Sequence, residues 1–248
     1  RLENVCAAIA RTRGQTDAHD AVCEIEAAYC AVIAAATRSI YVETQYFTSR
    51  RIARAIAERL EEMGGPEIIL VLPASCEGWL EQKMMDTTRS RLIKAMQAID
   101  HEDRFRVYHP VTAKGTDIYV HAKVLIADTR FLRAGSSNLS NRSMGFDSEC
   151  DICVDAQMAD DPEKTERAIR HCREDLLAEH LGATKEEIAK AIAEGSRLID
   201  VIDARPKPGR RLREYEHPDL NGVQDWLAGT DILDPEQADD DWPGITLS

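Results

Sequence analysis

The sequence lacks a long apolar run, an excess of basic residues and a leader segment. None of its apolar stretches approaches the roughly 18 residues of a membrane-spanning helix, and no basic region followed by an apolar one marks a secretory signal. Acidic residues outnumber basic ones by 44 to 31, for a formal net charge of −13. A sequence-independent grip on phosphate backbones needs clustered Lys and Arg, so we expect no nucleic-acid partner. These absences favour a cytoplasmic protein or one that binds peripherally to a membrane.

The cysteines do not form a disulfide framework. Seven of them, an odd number, are spread over 248 residues, which favours reduced thiols. Cys150 and Cys153 have C-x-x-C spacing, but no second pair lies at the spacing of a zinc site. We therefore expect buried structural thiols, no metal and no other cofactor.

Helical and extended patterns alternate along the chain. Apolar residues at helical spacing predict helices at 20–38, 50–63, 80–99, 162–181 and 184–200. Short apolar runs predict strands at 39–44, 67–73, 104–110 and 149–154, with a hairpin at 117–138. The run EIILVLP at 67–73 is typical of a strand buried on both faces. Strands that alternate with helices imply an α/β layered fold.

The last part of the chain differs in composition from the rest. RPKPGRRLR at 205–213 carries five basic residues, and DILDPEQADDD at 231–241 carries six acidic residues and no basic one. Solvated segments along the surface are a better interpretation of both runs than binding sites. We therefore predict a folded domain at 1–203 and an irregular charged tail at 204–248.

Polar residues concentrate on one face of the first hairpin strand. Residues 117–126 alternate between apolar and mixed polar positions, and His121 and Lys123 share the polar face. Two residues of strand separate their Cα atoms by roughly 6.6 Å, so an imidazole and an ammonium can converge on one small anion, for which a phosphate is suitable. Asp128 lies an odd number of residues from His121 and in the turn. Alternation does not place it in the same pocket, and we expect it to pair or cap.

The return strand of the hairpin ends in small polar residues. Gly135 permits close backbone approach, and Ser136 and Asn138 offer hydroxyl and amide groups to phosphate oxygens. Glu149 follows eleven residues after Asn138 and is a candidate to accept the proton of His121 Nδ1, which would leave Nε2 to attack or to donate. Each residue taken alone also has a structural interpretation, because a single histidine on a strand is more often packed or exposed than catalytic.

The combined pattern resembles the phospholipase D superfamily. Its HxKxxxxD signature with a downstream G-[GS]-x-N is matched by His121, Lys123, Asp128, Gly135, Ser136 and Asn138. Further stretches similar to the carboxyl-terminal half of two-motif phospholipases D are EIEAAY at 24–29, IYVETQYFTS at 40–49, the helix around Met84–Met85, REDLLAEHLG at 173–182 and DPE at 234–236. YVETQYF favours the phospholipases over cardiolipin synthases and single-motif nucleases. The resemblance implies a central mixed β-sheet flanked by helices.

The resemblance also implies a reaction. In two-motif relatives one histidine attacks phosphorus to form a phosphohistidine, and the other, here His121, protonates the leaving alcohol. Lysine and asparagine side chains stabilise the phosphoryl charge, and Glu43, Gln45 and Tyr46 are possible pocket-lining residues. The implied substrate is a phospholipid at a membrane surface. Hydrolysis gives phosphatidic acid and a head-group alcohol, and attack by another alcohol gives transphosphatidylation, in both cases without a metal.

The chain departs from the two-motif pattern because it holds one HxKxxxxD. None of the other six histidines is followed by Lys two positions later. Either the chain is the carboxyl-terminal portion of a longer enzyme, inactive without the half that carries the first motif, or a second copy completes the site. The missing initial Met and the YVETQYF and AEHLG stretches favour the portion. A homodimeric phosphodiesterase or nuclease, a non-catalytic phosphate-binding or phospholipid-binding module, and an interaction protein remain open.

Overall fold

The computed structural model describes residues 5–75, 79–205 and 209–216. Cys76, the side chain of Met84, the DPE stretch and the acidic run at 231–241 lie outside the described part. No helix of the described part is both long and apolar enough to cross a bilayer.

The described strands form one nine-stranded sheet in the order β2-β1-β8-β7-β6-β3-β4-β5-β9. The strands are β1 (Ala7–Arg13), β2 (Val22–Cys23), β3 (Ser39–Glu43), β4 (Glu67–Val71), β5 (Phe105–Val111), β6 (Val124–Ala127), β7 (Phe131–Gly135), β8 (Glu149–Asp155) and β9 (Arg211–Glu214). The neighbours β3, β4 and β5 run parallel, and every other adjacent pair is antiparallel. The sheet is therefore mixed, as expected.

Within the residues that the structure describes, seven α-helices connect or cover these strands. They are α1 (Glu24–Ala35), α2 (Arg50–Glu61), α3 (Trp79–Ile99), α4 (Asn141–Gly145), α5 (Pro162–Leu181), α6 (Lys185–Ala193) and α7 (Leu198–Asp203). The longest helix of the second half, α5, begins with an Asp161 cap and Pro162 in its first turn and ends at Gly182 in the left-handed conformation, which are strong start and stop signals.

Helices cover both faces of the centre of the sheet. Ile40 and Val42 of β3 pack in the core under α1, α2 and α3, whereas Tyr41 between them packs under α5, α6 and α7. This division follows from the alternation of side chains along a strand. Every residue of β4 is buried, as the apolar run predicted. The structure confirms an α/β fold with a mixed central sheet flanked by helices.

The structure differs from the sequence-based prediction in local details. The first hairpin strand is short, because only Val124–Ala127 pairs within the sheet, while residues 118–123 approach it without strand pairing. The helix predicted at 184–200 is divided into α6 and α7, since Gly195 between them has a φ of 90°, which a right-handed helix does not allow. Strand β1 was not predicted. Strand β9 pairs with β5 inside the segment expected to be irregular.

The cysteines are less buried than predicted. Cys6 and Cys150 are exposed, and the other four described cysteines are half-buried. Cys150 and Cys153 lie three positions apart on β8, so their side chains point to opposite faces of the sheet. Within the described residues, no cluster of three or more His, Cys, Asp or Glu side chains could hold a metal ion.

Candidate active site

The candidate site lies at the edge of the sheet where β3 and β7 end and β6 begins. Antiparallel pairing sets Glu43 of β3 beside Val124 of β6, and Val124 beside Ala134 of β7. The residues just beyond these positions, Gln45, Lys123 and the loop at 136–138, therefore meet at one edge. The backbone amide of Gly135 donates to the Lys123 carbonyl oxygen at 3.2 Å, which fixes the start of β6 against the end of β7.

Lys123 is half-buried and points into this cluster. Its Nζ donates to Gln45 Oε1 at 3.3 Å and to the His121 carbonyl oxygen at 3.1 Å. Burial lowers the pKa of the Lys123 ammonium, and the nearby Glu149 carboxylate acts in the opposite direction. A half-buried ammonium with one side chain and one carbonyl as acceptors can still donate to an anion.

Asn138 is oriented by the segment that follows β3. Its Oδ1 accepts from the Gln45 backbone amide at 3.2 Å and from Thr44 Oγ1 at 3.4 Å, and its own backbone amide donates to Ser143 Oγ at 3.1 Å. Because a backbone N–H can only donate, the side-chain oxygen must face Gln45. The Asn138 NH₂ group is thereby directed to other acceptors, as a phosphate-binding role requires.

His121 is exposed at the mouth of the site. Its ring lies parallel to that of Tyr119, with centroids 6.5 Å apart and an interplanar angle of 18°. The Tyr119 hydroxyl accepts from Gln45 Nε2 at 2.6 Å, and the Tyr46 hydroxyl accepts from the same nitrogen at 3.0 Å. Gln45 thus forms hydrogen bonds to Tyr119, whose ring lies beside that of His121, to Lys123 and to Asn138.

Glu149 lies at the site, but its hydrogen bonds differ from those expected. It accepts from Ser136 Oγ and, at 2.7 Å, from Ser143 Oγ; no hydrogen bond to His121 is found among the described residues. Strand β8, which carries Glu149, is separated from β6 by β7, and the Ser136 loop therefore comes between the two side chains. Ser136 also accepts from the Cys150 amide at 3.0 Å.

Tyr46 and Glu43 are the other two residues expected to line the pocket, and the structure places them differently. Tyr46 is half-buried and lies beside Gln45. Glu43 is only 4% exposed; it accepts from the Tyr41 hydroxyl at 2.7 Å and lies 3.2 Å from His180 Nε2. Glu43 therefore lies behind the site, on the face of the sheet covered by α5.

Asp128 is at the opposite end of β6 from Lys123. Its carboxylate accepts from the backbone amides of Thr37, Arg38 and Ser39 at 2.8–3.0 Å and from Thr37 Oγ1 at 3.0 Å. Burial acts to raise the pKa of Asp128, but these hydrogen bonds outweigh it and hold the pKa below its ordinary value. The residue has a φ of 56°, and Arg173 Nη1 donates to its carbonyl oxygen at 2.8 Å. Its contacts are those of a structural cap.

Two site-supporting residues were missed by the sequence reasoning. Arg133 of β7 and Asp151 of β8 form a buried ion pair, 4% and 1% exposed, directly beneath the loop at 136–138. Gly135 accommodates this pair, since a Cβ at that position would overlap the Asp151 carboxylate and the Cys150 carbonyl oxygen. The sequence holds one signal for this pair: each of the two strands carries a charged residue at a position whose side chain faces the core.

Comparisons with known proteins identify related sequences. A sequence model of the family described as "Cardiolipin synthase, PLD-like domain" matches residues 29–175. A phospholipase D of Phytophthora infestans is 25% identical over 214 residues, which cover 67% of this chain and 12% of that protein. Phospholipase D C of Dictyostelium discoideum is 27% identical over 193 residues, 62% of this chain and 12% of that protein. The chain thus spans about an eighth of the length of these relatives.

A solved structure shares the fold. The phosphatidylserine synthase of Haemophilus influenzae Rd KW20 superposes with a TM-score of 0.53 at 15% identity, over 78% of this chain and 46% of that chain. At this identity the likeness concerns the fold alone.

Proposed function

The chain belongs to the phospholipase D superfamily, and we propose that it forms the carboxyl-terminal half of a phospholipase D active site. The complete enzyme would cleave the phosphodiester of a phospholipid at a membrane surface to give phosphatidic acid and a head-group alcohol. The observation that carries the proposal is the position of Gln45, which holds both Lys123, through its side-chain oxygen, and Asn138, through its backbone amide. One anion can therefore contact an ammonium and an amide NH₂ beside His121.

The proposed chemistry needs a nucleophile that this chain does not supply. A histidine of a second HxKxxxxD motif would attack phosphorus, so that a P–N bond forms as the P–O bond to the head group breaks. His121 would donate its proton to the departing alkoxide. Water, or another alcohol, would then attack the phosphohistidine with His121 as the base, a P–O bond replacing the P–N bond.

Lys123 and Asn138 are assigned to the non-bridging phosphate oxygens, and Ser136 would join them only when its one hydroxyl hydrogen turns from Glu149 to the substrate. The lysine and asparagine are held before any substrate arrives, and preorganised donors stabilise charge that develops in the transition state. Glu149 is assigned to orient Ser136, since the two share a hydrogen bond. Asp128 and Gly135 are assigned structural roles.

The function can be tested by completing the site. We would express the chain together with its upstream coding region and measure head-group release from phosphatidylcholine vesicles, before and after His121→Ala. We expect the substitution to reduce kcat by about 10³-fold, because a proton-transfer catalyst is removed from both steps. His101→Ala is the matched control, since His101 is also exposed but lies in a turn before β5. An active wild type with an equally active His121→Ala variant would contradict the proposal.

The alternative functions give different results, one with the chain alone and one with the completed protein. A homodimer that cleaves DNA without a metal would identify a single-motif nuclease. An inactive completed protein in which inorganic phosphate protects His121 from alkylation would indicate a phosphate-binding module. In either case the chain would not need an upstream HxKxxxxD motif to carry out its function.

A further inference from the structure

The side chains of Arg133 and Asp151 both contact the loop at 136–138. Asp151 Oδ1 accepts from the backbone amides of Ser136 at 3.0 Å and Ser137 at 3.2 Å, and its Oδ2 accepts from Ser137 Oγ at 2.7 Å. Arg133 Nε donates to Asp151 Oδ2 at 2.8 Å, and Nη2 donates to the Ser137 carbonyl oxygen at 3.0 Å. Two consecutive loop residues are therefore held through amide, hydroxyl and carbonyl groups.

The guanidinium of Arg133 is itself held in place from its other side. It lies over the ring of Tyr29, 4.6 Å from the ring centroid, and Tyr29 is 3% exposed on α1. This stacking is a favourable cation–π arrangement. The pair is thus fixed between a helix and the loop, and neither of its charges faces solvent.

Stability alone does not explain the presence of this pair. A buried ion pair loses the hydration of both charges, and replacing such a pair with apolar residues of similar volume is often neutral or stabilising. Apolar residues at 133 and 151 would, however, leave the buried amide of Ser137 without its acceptor, and the amide of Ser136 would keep only the Cys150 carbonyl oxygen. The ion pair therefore fixes the backbone conformation between Gly135 and Asn138.

We propose that Arg133 and Asp151 are positioning residues for the phosphate pocket: they hold the Ser136–Asn138 backbone so that the side-chain amide of Asn138 faces the substrate phosphate. This inference rests on the proposed function and deepens it. The pair touches no substrate and acts only through the loop. Its effect should therefore be seen in phosphate affinity and in the order of the loop more than in the stability of the fold.

Two variants separate positioning from folding. Asp151→Asn keeps one oxygen for the loop amides but removes the ion pair. The double substitution of Arg133→Met with Asp151→Ala removes both buried charges together but leaves the Ser137 amide unpaired, so we expect a folded variant whose unfolding midpoint in urea is only moderately lower than that of the wild type. The control is Asp155→Asn, because Asp155 lies at the other end of β8 and forms a bidentate but more exposed ion pair with Arg130, away from the loop.

The first measurement uses the chain as it is. Amide hydrogen exchange of Ser137 should become at least about tenfold faster in the double variant, while the core strands keep their protection. Inorganic phosphate, titrated by NMR, should bind about tenfold more weakly to both variants, as expected when one charge-assisted hydrogen bond is lost. Unchanged exchange and phosphate affinity in a folded double variant would overturn the inference.

The second measurement uses the protein completed with its upstream region. We expect kcat in Asp151→Asn to fall by about 10²-fold, since misplacement of positioned groups by about 1 Å has this effect, and Asp151→Glu not to restore it. If wild type is inactive and binds no phosphate, the proposed function fails, and loop exchange still decides the inference. If wild type is active, depends on His121 and tolerates the double substitution, only the inference fails.

Discussion

The two ends of strand β6 carry the two parts of one sequence motif and have opposite environments. At the first end, His121 is exposed and Lys123 is half-buried, with one side-chain acceptor and one carbonyl as its hydrogen-bond partners. At the second end, Asp128 is 8% exposed and accepts four hydrogen bonds from residues that begin β3. Donors at the first end can still bind a ligand, whereas the acceptors at the second end are already used.

From this difference we expect that, within the HxKxxxxD motif, His121 and Lys123 serve the chemistry and Asp128 serves the folding. Four residues of strand span about 13 Å, too far for Asp128 to reach a phosphate held by Lys123. The pKa of Lys123 is lowered by burial, so its charge is held at a cost to the fold, whereas the pKa of Asp128 is lowered by hydrogen bonds that its charge strengthens. Substitutions at the two ends should therefore have opposite effects on activity and on stability.

The largest effect should come from Lys123→Met in the completed enzyme. We expect kcat to fall by about 10²- to 10³-fold, the typical loss when one preorganised donor to a developing charge is removed. The free energy of unfolding should stay the same or rise, because methionine fills the space without a half-buried charge. Head-group release and urea unfolding measure the two quantities.

Lys114→Met is the control for Lys123→Met, since Lys114 is exposed in the turn after β5. Equal activity of the Lys123 and Lys114 variants would remove Lys123 from the phosphate site. A Lys123 variant that unfolds at lower urea concentration would instead show that both ends of β6 stabilise the fold.

The second effect concerns stability. Asp128→Asn should lower the free energy of unfolding at pH 7 by about 2–3 kcal/mol, because an amide NH₂ replaces one acceptor oxygen and faces either the two donors of Thr37 or the amides of Arg38 and Ser39. The activity of each folded molecule should remain close to that of the wild type. Urea unfolding and the rate per folded molecule test this, and Asp160→Asn, at an exposed position before α5, is the control.

The same substitution should also change the pH dependence of stability. Because the folded pKa of Asp128 is depressed, the unfolded state binds the proton more tightly, and the stabilisation is present above the unfolded pKa of about 3.9 and lost as pH falls through the folded value. The difference between wild type and Asp128→Asn should therefore shrink below about pH 4. A difference that is constant from pH 7 to pH 3 would contradict the assigned cause.

The sequence predicts those features of the fold and of the site that depend on the local pattern of residues. The strand at 67–71 and helix α5 follow from an apolar run and from start and stop signals. The separation of Asp128 from the chemistry followed from strand alternation and its place in the turn. The grouping of Lys123 and Asn138 followed from the hairpin, in which the two strands return to the same edge.

The missed features depend on pairings between distant segments. Glu149 was expected to contact His121, but the strand order places the Ser136 loop between them. The Arg133–Asp151 pair needs β7 and β8 to be neighbours in a particular register, and β1 and β9 extend the sheet by pairing with strands far along the chain. Such contacts are set by topology, which one sequence does not reveal through periodicity.

The smallest expected effect on stability comes from removing one of the four hydrogen bonds that the Asp128 carboxylate accepts. Thr37→Val removes the hydroxyl that donates to Asp128 Oδ2 but keeps the backbone amide that donates to the same oxygen. We expect the free energy of unfolding to fall by about 0.5–1 kcal/mol, the net value of one hydrogen bond, with no change in activity, and urea unfolding beside a Thr116→Val control measures it. Thr116 is exposed in a turn. A loss as large as that of Asp128→Asn would mean that the hydroxyl, and not the three backbone amides, holds the carboxylate, and the second end of β6 would then depend on a single contact.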